Sequence, residues 1–169
     1  NSPPRRSFIF TPGLSPDMFP KALASGVDMV CIELEDGIAP KDKVVARDLA
    51  LGIFRNNKMP EDIEVILRIN SIRSAFGLDD IRAVLDTANP PPALMIPKVN
   101  DPEEIIIIDD ILKERGHACR LHPIIETNSG LEKVYEIARC SDRIETLFFG
   151  LIDMAAELKC KLAWDQLLY

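Results

Sequence analysis

Several kinds of motif are missing from this chain of 169 residues, and each absence excludes a class of protein. The cysteines are far apart and form no paired motif: Cys31, Cys119, Cys140 and Cys160. We therefore expect neither a disulfide framework nor a zinc site, and a reducing compartment is favoured. The two histidines, His117 and His122, stand in no nucleophile or metal spacing, so we expect them to be surface or packing residues.

Long apolar runs and glycine-rich phosphate loops are absent as well. No apolar segment approaches the ~18 residues that span a bilayer, and the first residues show no secretory signal. Neither a dinucleotide fingerprint nor a P-loop occurs. The net charge of −7 and the pI near 4.9 argue against nucleic acid or an anionic membrane as a partner. We expect a cytoplasmic protein, or one of the mitochondrial matrix if its source is eukaryotic.

What the chain does contain is a regular alternation of β-rich and helix-like segments. Apolar runs typical of strands lie at 8–11, 29–34, 64–69, 93–97, 121–125 and 147–149. Helices are predicted at 18–24, from Pro40 to about residue 55, from the cap Asp101 to Gly116, and after a cap at Asn128 or Ser129. A further amphipathic segment lies at 164–169. This alternation predicts a parallel sheet with crossover helices.

The polar residues favour a closed barrel over an open, doubly wound sheet. Every candidate reactive side chain follows a strand at its carboxyl end. An open sheet would spread the ends of strands two to six over about 19 Å, whereas a barrel gathers them around one mouth. We therefore predict a TIM-type (β/α) barrel. Because such a barrel usually needs ~250 residues, residues 1–169 are expected to supply about six of its eight βα units, as one domain without the last strands.

Glu126 and Asp153 are the sharpest candidate pair. They follow neighbouring strands, and two carboxylates at adjacent strand ends are able to hold Mg²⁺ while leaving positions for water and substrate. The alternative is that each acid caps a helix or accepts backbone N–H groups, as strand-end acids often do. The residues alone leave both interpretations open.

Three other strand ends carry charged candidates. Arg68 could bind a carboxylate or a developing enolate oxygen, or pair with Glu35 or Asp36 as a structural ion pair. Lys98 could bind a carboxylate or carbonyl group, or form a Schiff base; the metal pair makes the Schiff base the less favoured role. Glu35 and Asp36 could orient waters on a metal or lie in a solvated loop.

The remaining basic residues give weaker signals. Arg5 and Arg6 precede strand one, which places them at the opposite end of a barrel from its mouth. Lys43 and Arg47, with Lys41 and Lys58, could attract phosphates, although exposed charges on helices are usually only solvated.

A series of short segments resembles one family when taken in order. The segments are RSFIFTPG at 6–13, KALASGVD at 21–28, LEDGIAP at 34–40, KVVAR at 43–47, RIN at 68–70, GLDD at 77–80, PKV at 97–99, IET at 125–127 with Gly130, and FG at 149–150 with Asp153. Their shared order over nearly the whole chain resembles the citrate lyase β-subunit and malyl-CoA lyase family of the aldolase/citrate lyase superfamily.

The resemblance implies roles for particular residues. Glu126 and Asp153 would ligate Mg²⁺, and Arg68 would hold the keto acid and the enolate. Glu35 and Asp36 would contact the waters of the metal or its polar network, as catalytic residues with Arg68. The resemblance also implies a contact with the substrate or the CoA portion for Arg6, and contacts with CoA for Lys43 and Arg47. Lys98 is predicted to bind the substrate because of its place at a strand end.

The implied activity is Mg²⁺-dependent cleavage of a carbon–carbon bond in a 3-hydroxy-acyl-CoA thioester. Citryl-CoA, giving acetyl-CoA and oxaloacetate, is the leading substrate, with malyl-CoA or citramalyl-CoA next. A CoA-free aldolase acting on a hydroxy-keto acid is a second enzymatic hypothesis. A non-enzymatic hypothesis is an inactive truncated barrel or an assembly partner. The resemblance also implies a homo-oligomer, with a trimer favoured, and other citrate lyase subunits are further candidate partners. In the family a C-terminal segment completes the barrel and forms a lid, so the resemblance implies that residues 1–169 lack this lid.

Overall fold

The computed structural model describes residues 4–161, in which strands and helices alternate along the chain. The strands are β1 (Phe8–Pro12), β2 (Met29–Glu33), β3 (Glu64–Arg68), β4 (Ala93–Ile96), β5 (Arg120–Ile125) and β6 (Phe148–Phe149). The helices are α1 (Phe19–Leu23), α2 (Lys43–Asn56), α3 (Ala75–Asp86), α4 (Pro102–Glu114), α5 (Asn128–Glu132), α6 (Val134–Arg139) and α7 (Leu151–Glu157), with short 3-10 turns at Pro16–Met18 and Pro40–Asp42.

The six strands form one parallel sheet in the order of the sequence, from β1 to β6. A doubly wound sheet would reverse that order at a switch point, so the open-sheet alternative is wrong. The sheet curls until its outer strands approach each other. The rings of Phe8 on β1 and Phe148 on β6 lie 5.4 Å apart, and Arg5 pairs with Glu145 just before these strands. The result is a half-barrel consistent with part of a TIM-type barrel.

The two faces of the sheet bury different clusters. Strand residues that point outward, such as Val30 and Ile32, share one large core with the apolar faces of the helices. Helix α4 shows why: Ile105, Ile108 and Leu112 recur at helical spacing on its buried face. The strand residues at the alternate positions, Met29 and Cys31 among them, point to the inside of the curl. They form a second cluster, and all the residues of this cluster lie on strands. In the part of the chain that the structure describes, helices therefore cover one face of the sheet only, as in a barrel.

Most predicted boundaries are confirmed to within about two residues. Asp101 caps α4 as predicted, accepting a hydrogen bond from the Glu103 N–H at 3.2 Å. The cap predicted at Asn128 or Ser129 is wrong, because the Thr127 hydroxyl accepts the Gly130 N–H at 3.0 Å and begins α5. The segment predicted at 164–169 lies outside the described residues. Within residues 4–161 no helix is both long enough and apolar enough to cross a membrane.

A buried charge network, the amino-end network, lies at the amino ends of the strands. It consists of Arg5, Glu64, Arg120, His122 and Glu145. Both side chains of the Glu64–His122 pair are fully buried, with 2.8 Å between Nε2 and Oε1. Burial raises the pKa of Glu64, but hydrogen bonds from His122 and Arg5 lower it by more, so that the pKa is about 2. His122 is thus a packing residue, as expected, and also the partner of a buried acid.

Candidate functional site

Seven charged side chains meet at the carboxyl ends of the strands, and we call them the carboxyl-end cluster. They are Glu33, Glu35, Asp36, Arg68, Lys98, Glu126 and Asp153. Because the strands are parallel and neighbouring in sequence, their ends share one rim. A cleft of about 470 Å³ opens there, lined by Asp36, Arg68, Glu126 and Asp153. The deeper walls of the cleft are apolar and include Phe8, Met95, Ile124 and Phe148.

Glu126 is buried, with only 4% of the residue exposed, and it is held in place from two sides. Its Oε1 accepts the main-chain N–H of Lys98 at 2.8 Å. Gly150 packs against the other side, where a Cβ would lie only 2.3 Å from Oε2. Burial is the main reason that the pKa of Glu126 rises to about 7, and the carboxylates of Glu35 and Asp153 add to the rise. A carboxylate that is buried with other acids is stabilised by a nearby cation.

Asp153 approaches the cleft from the first turn of α7, and its side chain is 38% exposed. Within residues 4–161, no group of three or more His, Cys, Asp or Glu side chains is arranged to hold a metal ion. Two carboxylates nevertheless suit Mg²⁺, which is usually bound by one or two protein carboxylates together with water and substrate oxygens. The donor chemistry and the confined position of Glu126 fit such an ion, so Glu126 and Asp153 remain the candidate ligands.

Arg68 is fixed at the rim by two acids and an aromatic ring. Its Nε lies 2.5 Å from Glu33 and its Nη1 lies 3.3 Å from Glu35. The guanidinium also lies over the ring of Phe10, 4.9 Å from the centroid. The predicted ion-pair alternative named Glu35 and Asp36, and Glu35 is indeed one partner. Glu33 was not predicted as a partner of Arg68. The alternation of Met29, Cys31 and Glu33 along β2, which places all three on the inner face, could have indicated it.

Lys98 connects most of the cluster. It has a left-handed backbone, with φ of 52°, which costs a residue with a side chain roughly 1–2 kcal/mol. Its Nζ pairs with Glu35, with Asp36 at 3.1 Å and with Asp153 at 3.3 Å. Partial burial lowers the pKa of Lys98, but Glu35 and Asp36 raise it well above its usual value. A Schiff base requires a neutral amine, so this environment disfavours that role.

The other predicted contact residues do not reach the cleft. Arg6 is exposed and pairs with Asp28, with 3.0 Å between Nη2 and Oδ1, near the amino end of β2. Lys43 is buried, and its Nζ donates to the carbonyl oxygens of Leu34 at 2.7 Å and Glu35 at 2.5 Å. These contacts favour a role for Lys43 in fixing the loop that carries Glu35 and Asp36.

Arg47 likewise lies behind the rim. Its Nε donates to Asp80 at 2.6 Å, and the second oxygen of Asp80 accepts the main-chain N–H of Asn70 at 2.8 Å. Asp80 is 1% exposed and holds the turn that follows Arg68. In the sequence, Asn70 and Asp80 belong to two separate matching segments, and their spacing does not predict that they pair. The prediction that Lys43 and Arg47 contact CoA stays a prediction without a supporting contact among residues 4–161.

Comparisons with known proteins place this geometry in context. A family model described as HpcH/HpaI aldolase/citrate lyase matches residues 6–166. The chain is 31% identical over 162 residues to the L-malyl-CoA/beta-methylmalyl-CoA lyase of Cereibacter sphaeroides, covering 92% of this chain and 51% of that protein. It is 26% identical over 162 residues to the citrate lyase subunit beta of Escherichia coli, covering 92% and 53%. The chain thus spans about half the length of the curated relatives it matches.

A solved structure shows the same likeness. Protein CitE of Mycobacterium tuberculosis, in complex with magnesium and acetate, aligns with a TM-score of 0.74 and 28% identity. The alignment covers 94% of this chain and 60% of that one. The shared fold therefore extends over nearly all of the present sequence.

Proposed function

Because this chain belongs to the HpcH/HpaI aldolase/citrate lyase family, we propose that it carries the metal site of a carbon–carbon lyase acting on a CoA thioester. The proposed substrate is a 3-hydroxy-acyl-CoA similar to citryl-CoA, cleaved to acetyl-CoA and oxaloacetate. Malyl-CoA or citramalyl-CoA is the second candidate. It is favoured by the 31% identity to a malyl-CoA lyase, against 26% to a citrate lyase subunit.

The observation that carries the proposal is the composition of the carboxyl-end cluster. Glu126 and Asp153 lie on the same cleft as the cationic Arg68. Cleavage next to a thioester produces a keto acid and an enolate, both of which need positive charge beside their oxygens. The relative solved with magnesium and acetate supports Mg²⁺ as the cofactor.

Each residue then has a defined task. Glu126 and Asp153 would hold Mg²⁺, which when bound polarises the oxygens of the keto acid. Arg68, oriented by Glu33, Glu35 and the Phe10 ring, would stabilise the oxygen of the departing enolate. The ion pair with Lys98 lowers the pKa of Asp36 despite its partial burial. Asp36 is therefore an ionised acceptor for polar groups of the substrate.

The apolar walls also contribute. Phe8, Met95, Ile124 and Phe148 give one side of the cleft an apolar surface, which would exclude water once a substrate fills the cleft. Electrostatic interactions are stronger where water is excluded, which increases the effect of the Arg68 charge on a developing oxyanion.

The first test is a calorimetric titration of the chain with Mn²⁺ and with Mg²⁺ in the presence of oxaloacetate. We expect Glu126→Gln and Asp153→Asn to abolish binding. Glu61→Gln serves as the matched control, because Glu61 is exposed and forms an ion pair with the equally exposed Lys58. A folded parent chain that binds neither ion would contradict the proposal and favour an inactive barrel or an assembly partner.

A thioester panel tests the substrate. Release of acetyl-CoA from citryl-CoA or malyl-CoA, or of pyruvate from citramalyl-CoA, would identify the acyl group. Cleavage of a free hydroxy-keto acid, without measurable binding of CoA, would show a CoA-free aldolase instead.

We also propose that the protein assembles into a homo-oligomer, with three copies favoured, and that other citrate lyase subunits are possible partners. The relative from Escherichia coli is named as a subunit. Helix α2 exposes Val44, Val45 and Leu49, a surface suited to burial in an interface. Light scattering of the purified chain measures the number of copies, and a monomer at all concentrations would exclude this part of the proposal.

A further inference from the structure

Lys98 differs from the other members of the carboxyl-end cluster because its main chain and its side chain contact different acids. The main-chain N–H donates to Glu126. The ammonium group contacts Glu35 and Asp36 beyond β2 and Asp153 on α7. One residue therefore joins both candidate metal ligands to the acids on the opposite part of the rim.

The main-chain contact depends on an unusual backbone. Lys98 and Lys159 are the only non-glycine residues with positive φ among residues 4–161. The left-handed turn follows Pro97 directly after β4, where it directs the Lys98 N–H toward β5 and the Glu126 carboxylate. A side chain is not required for this hydrogen bond, so the main chain of residue 98 acts on Glu126 independently of the ammonium group.

The ammonium group lies among carboxylates of this chain. It donates hydrogen bonds to Glu35 and Asp36, and the Asp153 Oδ2 lies 3.3 Å from Nζ, so its polar contacts are made within the chain. The side chain is 34% exposed, so the group is partly desolvated, and its ion pairs are less screened than those of a freely exposed lysine. Its contacts thus favour neutralising the cluster over contacting substrate.

We propose that Lys98 is an internal counter-cation that competes with a divalent metal ion for Asp153, while its main-chain N–H orients Glu126. This inference rests on the proposed function only in taking Glu126 and Asp153 as metal ligands. The Asp153 Oδ2 lies 3.3 Å from the Lys98 Nζ. A cation on Asp153 is therefore repelled by the ammonium group, and removal of that group strengthens metal binding.

The test compares four variants by calorimetric titration with Mn²⁺ without substrate. Lys98→Met keeps the length of the side chain without its charge, and Lys98→Arg keeps the charge. Lys98→Ala and Lys98→Gly lose the charge equally but differ in the Cβ at positive φ. We expect Lys98→Met, Lys98→Ala and Lys98→Gly to bind Mn²⁺ roughly three- to tenfold more tightly than the parent. Lys98→Arg should bind like the parent.

Thermal melting without metal provides a second measurement. Loss of the ammonium group leaves Glu35, Asp36 and Asp153 facing one another, so Lys98→Met should melt at a lower temperature than the parent. Added Mg²⁺ should raise the melting temperature of Lys98→Met by more than that of the parent. Lys98→Gly should melt above Lys98→Ala, because glycine adopts positive φ without strain.

The outcomes separate this inference from the proposed function. Tighter Mn²⁺ binding by Lys98→Met in a protein that cleaves no thioester would support the counter-cation and reject the lyase. Thioester cleavage by the parent, with Mn²⁺ binding unchanged or weaker in a folded Lys98→Met, would support the lyase and overturn the counter-cation.

Discussion

Each end of the curled sheet buries a glutamate, and the two glutamates have opposite surroundings. Glu64, in the amino-end network, contacts Arg5, Arg120 and His122, and its pKa falls to about 2. Glu126, in the carboxyl-end cluster, accepts one main-chain N–H and its pKa rises to about 7. A glutamate at the amino ends of the strands therefore has its negative charge balanced by neighbouring cations, and a glutamate at the carboxyl ends does not.

The balance of charge explains the difference. In the amino-end network two acids face two arginines and a histidine. In the carboxyl-end cluster five carboxyl groups form ion pairs with two cations among residues 4–161, Arg68 and Lys98, and the Lys43 ammonium behind the rim adds one more positive charge near Glu33, Glu35 and Asp36. An excess of carboxylates is costly for folding alone but suits a site that takes up a cation. The amino end thus favours stability, and the carboxyl end favours binding.

The largest expected effect comes from breaking the amino-end network. Glu64→Gln removes the charge opposite Arg5 and Arg120 in a fully buried position, and we expect the free energy of unfolding to fall by about 3 kcal/mol. Urea denaturation measures this change, with the exposed Glu61→Gln as control. Mn²⁺ affinity should be retained where the variant is folded. A loss no larger than that of the control would mean that the network contributes little to stability.

The second largest effect is expected at Arg68, whose positive charge lies at the carboxyl ends of the strands. Arg68→Lys removes the planar group that Glu33, Glu35 and Phe10 orient, and we expect thioester cleavage to fall by about 100-fold. Steady-state kinetics measure the loss, and Mn²⁺ titration should show unchanged affinity. Arg82→Lys, on the exposed side of α3, is the matched control. Retention of full activity would exclude Arg68 from the reaction.

A smaller effect is expected from disturbing the position of Glu126. Gly150→Ala places a Cβ only 2.3 Å from Glu126 Oε2, so the Glu126 side chain must shift, and Mn²⁺ affinity should fall about tenfold. Gly52→Ala is the control, because its added Cβ meets nothing closer than 3.8 Å, on the flexible Arg55 side chain. Equal affinity in the two variants would show that Glu126 does not need this position to bind the ion.

The pH dependence of stability should differ between the two ends. Because the pKa of Glu64 is depressed, its stabilisation is present above 4.5 and is lost as the pH falls toward about 2. Because the pKa of Glu126 is raised, its ionisation destabilises the fold progressively as the pH rises from 4.5 to about 7. The free energy of unfolding, measured by denaturation between these pH values, should fall with rising pH in the parent and fall less in Glu126→Gln, where the raised pKa of Glu33 still contributes. Mn²⁺ affinity should fall as the pH drops below about 7, since protons then compete for Glu126.

The smallest effect is expected at Arg6. Its exposed ion pair with Asp28 lies away from the cleft, so Arg6→Ala should leave both the KM for the thioester and the thermal melting temperature nearly unchanged. A clear rise in KM, with melting unaltered, would instead support the substrate contact that the family resemblance implies for Arg6.

Local patterns were enough to predict most of the architecture. Apolar runs separated by helix signals gave strand bounds within one residue of those observed, and Asp101 with Pro102 marked the start of α4. The position of Glu126 and Asp153 after neighbouring strands indicated a shared rim, because parallel strands end on the same side. These features depend on residues close together in sequence, where spacing alone decides the geometry.

Partners far apart in sequence could not be predicted in the same way. The sequence contained Glu33, Glu64 and Asp80, but their partners depend on register and on the direction of each side chain. Glu33 reaches Arg68, Glu64 reaches His122, and Asp80 reaches Arg47. Lys43 shows the same limit, since helical charges are usually solvated and only the packing of α2 against the sheet buries this one.

The sequence by itself determined the α/β alternation, the parallel order and the rim at which the acids collect. Only the tertiary structure decided which acids have cations beside them and which lie in a cluster with an excess of negative charge. The physical reason is that a carboxyl group responds to burial and to the charges within a few ångströms of it, and folding alone brings those charges together. Glu64 and Glu126 have the same side chain, and the fold gives them opposite shifts in pKa.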